Sequence, residues 1–554
     1  MGELARGASA GRGGYQLVRS RATGSDGGWY PRARAGGIVL LLFVGLACAR
    51  VPGPGDVPLP AEWPSAGLPG FPLSAPEAQG LVSARLAQAV NGVRERGLRF
   101  HSLTLVRHGK LVLDACFDPY DCRSAHDVAS VTKSVVATLA AIAADRGQLD
   151  LDAPMVSFFS ARKIAHLDER KARIRVRDLL GMTSGLDCGG DAAERDLYAM
   201  MEGSDWVQFA LDLPMAEEPG RTFRYCSPGY HVVAAILAAA TGSSIETFAR
   251  GQLFDPLGIG EIEWPRDPQG LAHGWGDLRM HPQDMAKLGF LYLHGGEWRG
   301  HAIVSRERLR ALTEARVAAP AERSKYGLGW WIPDVGLPGL FEARGRAGQE
   351  IVVWPAKDLV LVVTAGGAEL TALVEPLLGA LRSDSPLPDD PEGVAALAAA
   401  IVAARQPPAP HPVAPVPELA RTWSGMSFAL DRNPAGITSI GFTFGAGDET
   451  ILQLVRGGER FDLAAGLDAR YRTTARGPAG KPVAVRMEWR TDSELDVDLI
   501  EPAGVNHLAM VIVPWNDGIE LRIADPSHQL DAIVHGVSLR AGAGPRPASP
   551  VGDP

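Results

Sequence analysis

The alternation of apolar and polar positions divides the chain into two blocks of different period. From Ala75 to Gly97 apolar residues recur at helical spacing, which predicts an amphipathic helix. A hairpin follows, with SLTLV and LVLDACF on either side of a turn at Arg107, His108, Gly109 and Lys110. Residues 127–147 open with Asp127-Val-Ala-Ser130, run through Ala, Val and Ile, and stop at Gly147, the pattern of a buried helix with a glycine terminator. Most of 150–310 reads as helix and loop. Strands return at YGLGWWI (326–332) and at EIVVWP and DLVLVVT (350–364). A tight turn at Ala356 and Lys357 joins the last two, and a helix over 368–382 closes the block. Helix, strands, an all-helical middle, strands and a helix, in that order, predict an α/β sandwich with a helical insert.

Beyond Ser383 the composition shifts. A short Ala-rich helix (391–405) leads into QPPAPHPVAPVP, a stiff polyproline-like spacer. The remainder has period two: ITSIGFTF, TILQLVR, AVRMEWR, ELDVDLIE, HLAMVIVP and GIELRIAD, with a turn at Asn516-Asp517-Gly518. Six or more strands and almost no helix predict a separate antiparallel β-sheet or barrel. That region carries no catalytic constellation, and its protein partner is not readable. The expected division is an export segment (1–50), a linker (51–75), a catalytic domain (76–383), a helix and Pro-rich linker (384–417), a β domain (418–541) and a disordered tail (542–554).

The N-terminus bears an address. Arg32 and Arg34 precede the apolar run Ile38 to Ala47, which is too short for the roughly 20 residues of a bilayer span and fits a signal-peptide core. The flanking Arg and Pro/Gly residues argue against the alternative of a buried strand. Gly45-Leu46-Ala47-Cys48 resembles a bacterial lipoprotein cleavage box with its Leu one place late, which makes Cys48 a candidate lipidation site and membrane anchor. Export to the periplasm or cell envelope is the expectation. The other four cysteines allow three pairings. Cys116 with Cys122 would close a small loop, and Cys188 with Cys226 would tie together two segments discussed below; four unpaired buried thiols are the alternative.

Length and charge narrow the classes. The 554 residues predict two or three domains, and 46% hydrophobic with 21% charged residues is the balance of a chain with a full core. A net charge of −9 without a basic run argues against nucleic acid. No CxxC or HxxxH spacing occurs, so neither a metal nor a cofactor is expected. Only eight of the 55 basic residues are lysines, so a lysine at a special position is less readily a coincidence.

The candidate chemistry centres on Ser130-Val131-Thr132-Lys133. Acyl transfer needs an activated hydroxyl, and a nearby lysine serves as base when burial lowers its pKa. At a helix start, residues three apart share one face. The same spacing recurs at Ser160-Ala161-Arg162-Lys163, so the motif alone is weak. Context separates the two, because SVVATLAAIAA would bury the first helix whereas AHLDERKARIR reads as a solvated surface. Tyr225, in Phe223-Arg224-Tyr225-Cys226-Ser227, could pass a proton to a leaving group, though an isolated tyrosine is more often a packed aromatic. Gly345 and Gly348, with Gln349, precede an apolar strand. Glycines there let the backbone approach a ligand and add an amide to an oxyanion hole; a plain glycine turn is the other reading.

Taken in this order, the three elements resemble the β-lactamase-related serine hydrolases, which include class C β-lactamases, DD-peptidases, family VIII esterases and 6-aminohexanoate-dimer hydrolases. LLGMTSGLDC (179–188), FDPLGI (254–259), GWGDLRMHPQDMAKLG (274–289) and YGLGWW (326–331) extend the resemblance over about 75–382. It implies an antiparallel sheet flanked by helices plus an all-helical subdomain, with Ser130 as nucleophile, Lys133 as its base and Tyr225 as a second proton relay. Two departures stand out. The family's Tyr-x-Asn reads Tyr225-Cys226-Ser227, and its Lys-Thr-Gly reads Ala343-Arg344-Gly345, leaving Arg344 or Arg346 to meet a substrate carboxylate. Both favour a small-molecule ester or linear amide as substrate over a β-lactam or a D-Ala-D-Ala peptide. A non-catalytic cell-envelope binding protein is the alternative of another class.

Overall fold

The computed structural model describes residues 70–189, 194–319, 323–413, 415–525 and 530–539. The export segment with Cys48 and the tail at 542–554 lie outside the described residues.

The predicted first helix starts later than its pattern, as α1 (Ser83–Glu95), and buries Leu86, Val90 and Val93. The hairpin follows as β1 (Phe100–Arg107) and β2 (Lys110–Cys116), paired antiparallel. Next comes α2 (Val131–Asp145), buried along almost its whole length, with Gly147 in the left-handed conformation (φ 67°) just past its end. The helical insert contains α3 (Ser227–Thr241), and α4 (Pro282–Leu293) leads back to the sheet. There follow β3 (Val317–Ala319), β4 (Ser324–Tyr326), β5 (Trp331–Pro333), β6 (Phe341–Gly345), β7 (Gln349–Trp354) and β8 (Leu359–Ala365). Their order in the sheet is β2-β1-β8-β7-β6-β5-β4-β3, all antiparallel.

The apolar runs in β7 and β8 have no polar alternation because both faces of the sheet are covered. Ile351, Val353, Val360 and Val362 join the core with α2, α3 and α4. Val352, Leu361 and Val363 face the opposite way, towards α1. That second core also takes Ala380 from α5 (Val374–Ala380) and Val394, Leu397 and Ile401 from α6 (Pro391–Ala404). The Ala-rich helix ahead of the proline spacer thus packs on the first sheet.

One strand differs from its pattern. YGLGWWI is a tight hairpin between β4 and β5, not one strand: Tyr326 pairs with Trp331 and the Gly327 amide donates to the Trp330 carbonyl (2.9 Å). Gly329 in its turn has φ 87°, and a Cβ there would lie 2.6 Å from the Ala137 side chain of α2. Two glycines within an apolar run mark a turn that periodicity alone overlooks.

The C-terminal sheet has ten strands: β9 (Ser427–Leu430), β10 (Ile437–Phe444), β11 (Glu449–Arg456), β12 (Glu459–Gly466), β13 (Arg472–Thr474), β14 (Val483–Thr491), β15 (Glu494–Ile500), β16 (His507–Trp515), β17 (Gly518–Asp525) and β18 (Leu530–Leu539). First and last strands, β9 and β18, pair antiparallel. The ring shuts where β12 meets β14 in parallel, Ala465 beside Val485 and Gly466 beside Arg486. The domain is therefore a closed barrel with one parallel contact, a refinement of the purely antiparallel expectation, since closure removes both free edges. Strand β18 escaped the period-two reading because Ile533 and Val537 put apolar side chains on its solvent face.

Candidate active site

Ser130 sits at the N-cap of α2, and the residue before it, Ala129, is held in the left-handed region (φ 46°). Few non-glycine residues adopt that conformation, so it marks a place where the surroundings dictate the backbone. Here the dictating group is Asp127, whose Oδ1 accepts from the Ala129 amide (2.8 Å). One turn into the helix, Lys133 is 2% exposed. Its Nζ donates to Ser130 Oγ (2.9 Å) and to the carbonyl of Trp275 (2.7 Å). The Tyr225 ring lies over the same amine, 4.8 Å from Nζ to the ring centroid, and stacks on Trp331.

The three residues singled out from the sequence, Ser130, Lys133 and Tyr225, therefore share one locality. The second Ser-x-x-Lys does not: Ser160 and Lys163 are both exposed. Burial pushes the Lys133 ammonium down to about 8; the carboxylates of Glu194 and Asp277 oppose that fall and the Arg346 guanidinium adds to it. An amine so poised is part neutral near neutral pH and has a lone pair to offer.

Disulfides join Cys188 to Cys226 and Cys116 to Cys122, with Cα separations of 5.3 and 5.9 Å. The first anchors the segment 180–189 to the residue next to Tyr225. Ser227, in place of the family's Asn, donates its hydroxyl to Glu194 (2.6 Å). Cys188, Glu194, Asp196, Leu197, Tyr225 and Ser227 line a small cleft.

The glycine segment behaves in two ways. Gly345, at the end of β6, lies so close to the segment leading into α2 that a Cβ there would be 2.5 Å from the Val128 carbonyl and 3.2 Å from the Ala129 side chain. Gly348 and Gln349 are turned elsewhere. A Cβ on Gly348 would meet the Ala368 carbonyl, and the buried Gln349 amide donates to the carbonyls of Arg346 (3.2 Å) and Ala365 (2.6 Å). That side chain braces the turn between β6 and β7 and does not reach the cleft. Of the two arginines, Arg344 pairs with Glu342 and lies over the Trp331 ring, whereas Arg346 reaches across to the Tyr198 hydroxyl (3.0 Å).

Three contributors were missed from the sequence: the Trp275 carbonyl, Asp127 and Glu194. A signal for the first existed. Trp275 lies between two glycines, and a Cβ on Gly274 would be 2.2 Å from the Tyr230 carbonyl, a close approach that Gly-Trp-Gly advertises. The other two are ordinary acidic residues whose role depends on a tertiary contact.

Known proteins resemble parts of this chain. The esterase EstB of Burkholderia gladioli is 26% identical over 235 residues, 38% of this chain and 60% of that protein. An esterase/beta-lactamase of Mycobacterium tuberculosis is 28% identical over 174 residues, 30% of this chain and 37% of that protein. The chain thus spans less than two thirds of the length of either relative. Among solved structures, the octameric penicillin-binding protein homologue from Pyrococcus abyssi aligns with 82% of this chain and 99% of its own, at 17% identity and a TM-score of 0.44. A family model described as Beta-lactamase matches residues 81–376, more than half of the sequence, and the chain belongs to that family.

Proposed function

We propose that this protein is an exported serine hydrolase that cleaves small esters or linear amides through an acyl-enzyme on Ser130. The observation that carries the reading is the buried Lys133 amine, 2.9 Å from Ser130 Oγ. In its neutral form the amine takes the Ser130 proton while Oγ bonds to the substrate's carbonyl carbon. The Ser130 amide at the helix start and an amide from the turn after Gly345 receive the negative charge on the carbonyl oxygen. As the intermediate collapses, the Tyr225 hydroxyl delivers a proton to the leaving alcohol or amine, and Lys133 restores it. Water then adds to the acyl group by the reverse relay, giving up one proton to the pair; the acid departs and Ser130 recovers its hydrogen.

Ester or amide preference is supported by what stands where β-lactam-active relatives have lysine and asparagine. Arg344 is spent on Glu342 and Trp331, and Ser227 on Glu194. Export is supported by the two disulfides, which persist in oxidising compartments, and by the apolar run ahead of Cys48. A fluorophosphonate probe with peptide mapping should label Ser130, and p-nitrophenyl esters should turn over faster than nitrocefin or a D-Ala-D-Ala peptide. Labelling at another residue, or none on folded protein, would overturn the mechanism and leave the non-catalytic binding reading. Faster nitrocefin hydrolysis would overturn the substrate class alone.

A further inference from the structure

The barrel does not merely trail behind the catalytic domain. The loop between β15 and β16, residues 501–506, is set against the chain that leads into the nucleophile. Its Ala503 carbonyl accepts from the Asp127 amide (2.9 Å) and from Arg279 Nη1 (3.1 Å). Glu501, 5% exposed, is paired with Arg279 Nη2. Arg279 itself pairs in register with Asp127 in a two-residue antiparallel ladder. The loop is braced from within, with the Asn506 side-chain amide donating to Glu501 (2.9 Å) and the Gly504 amide to the Glu501 carbonyl (2.9 Å). At its tip Val505, 1% exposed, packs with Ala129 and Ala347 in a small cluster of its own. Ala129 immediately precedes Ser130, and Ala347 is in the turn that follows Gly345.

A chain of contacts therefore runs from the barrel to the nucleophile: Ala503 carbonyl to Asp127 amide, Asp127 carboxylate to Ala129 amide, then Ser130. Ala129 occupies a backbone region that alanine leaves readily, so something must hold it there. We infer that the 501–506 loop of the barrel is a positioning device for the nucleophile, with Val505 and Asp127 as positioning residues that hold Ala129, and through it Ser130, in attacking geometry. The inference rests on Ser130 being the nucleophile. A small misplacement of a reacting atom costs rate far more than it costs binding.

The test uses the full-length protein, with the amount of folded enzyme in each sample measured by circular dichroism and thermal melting. Val505→Gly and Asp127→Ala remove the pin and the relay. Val505→Ile and Asp127→Asn keep an apolar tip and an acceptor oxygen. For each, the rate of Ser130 labelling by the fluorophosphonate and the separate kcat and KM on p-nitrophenyl butyrate are read per folded molecule. The expected result is about a tenfold or greater fall in labelling rate and kcat for the first pair, KM within about twofold, and rates within about threefold of wild type for the second pair. Should Val505→Gly fail to fold, Val505→Ala gives the same comparison at smaller amplitude. Labelling and kcat at wild-type level in the disrupted variants would overturn the inference. So would a rise in KM with kcat kept, which would make the loop a substrate wall. A wild-type protein that does not label at Ser130 defeats the proposed function first, and is distinguishable from both.

Discussion

Lys133 shows how much one side chain's surroundings decide. A lysine in water is protonated to about pH 10.4 and is no base; inside α2, desolvation brings it to about 8. The fraction of neutral amine, and with it the acylation rate, should climb through pH 7 to 9 with a midpoint near 8. A pH–kcat/KM profile on a p-nitrophenyl ester checks this, and a rate independent of pH over that range would remove Lys133 as the base. Lys133→Met should lower kcat/KM by about 10²–10⁴, the usual worth of a positioned general base. Ser130→Ala should abolish labelling altogether. The depressed pKa also acts on stability. Between about 10.5 and 8 the unfolded chain binds this proton and the folded one does not, so folding loses free energy as pH falls through that window.

At the scale of elements, the sheet and its covering helices meet through small residues. Gly289 in α4 lies against β7 and β8 so tightly that a Cβ would be 2.7 Å from Val360 and 2.8 Å from Ile351. Gly289→Ala should therefore overpack that seam and destabilise the fold by about 1–3 kcal/mol, despite alanine's better helix propensity. A chemical denaturation curve with unchanged m-value and a lower midpoint is the expected reading; an equal or higher midpoint would show that the helix can retreat at no cost. The same close approach explains Gly345, where β6 reaches the segment before α2, and Gly329, where the β4–β5 turn seats on α2.

Across the whole molecule, charge links the two domains. The Arg279–Glu501 pair is 12% and 6% exposed at its side chains, so removing one partner strands the other out of water. Arg279→Met should cost about 3–5 kcal/mol, and Arg279→Met with Glu501→Leu should recover a good part of it. Calorimetry reads both. Acid sensitivity has a different source. Burial pushes His101 down to about 3, His231 to about 4 despite its Asp267 partner, and His126 well below the usual range. The unfolded chain protonates these groups near pH 6.5, the folded one only far lower, so they drain stability as pH falls from about 6.5 towards 4; buried Asp127 and Glu350, raised to about 7 and about 8, hold protons in the folded chain over the same interval and oppose part of that loss. His231→Gln removes one of the three histidine protons, so its melting temperature should fall less between pH 6.5 and 4.5 than that of the wild type. An equal pH dependence of melting in the two proteins would refute the argument.

Much of this was written in the chain's own order. Apolar period announced α2, the β1–β2 hairpin and the strand-rich C-terminus, because burial on one face or both leaves a local imprint. A scarce lysine three residues from Ser130, ahead of an apolar run, pointed to the pair that is found in hydrogen-bond contact. What only tertiary structure decided were relations between distant segments. These are Trp275 as the acceptor for Lys133, Glu194 as the partner of Ser227, closure of the barrel by β12 and β14, and Val505 against Ala129. The physical reason is that burial leaves its mark on each residue's neighbours in sequence, whereas a hydrogen bond or a packed methyl across 376 positions is specified by the fold as a whole and by no local pattern.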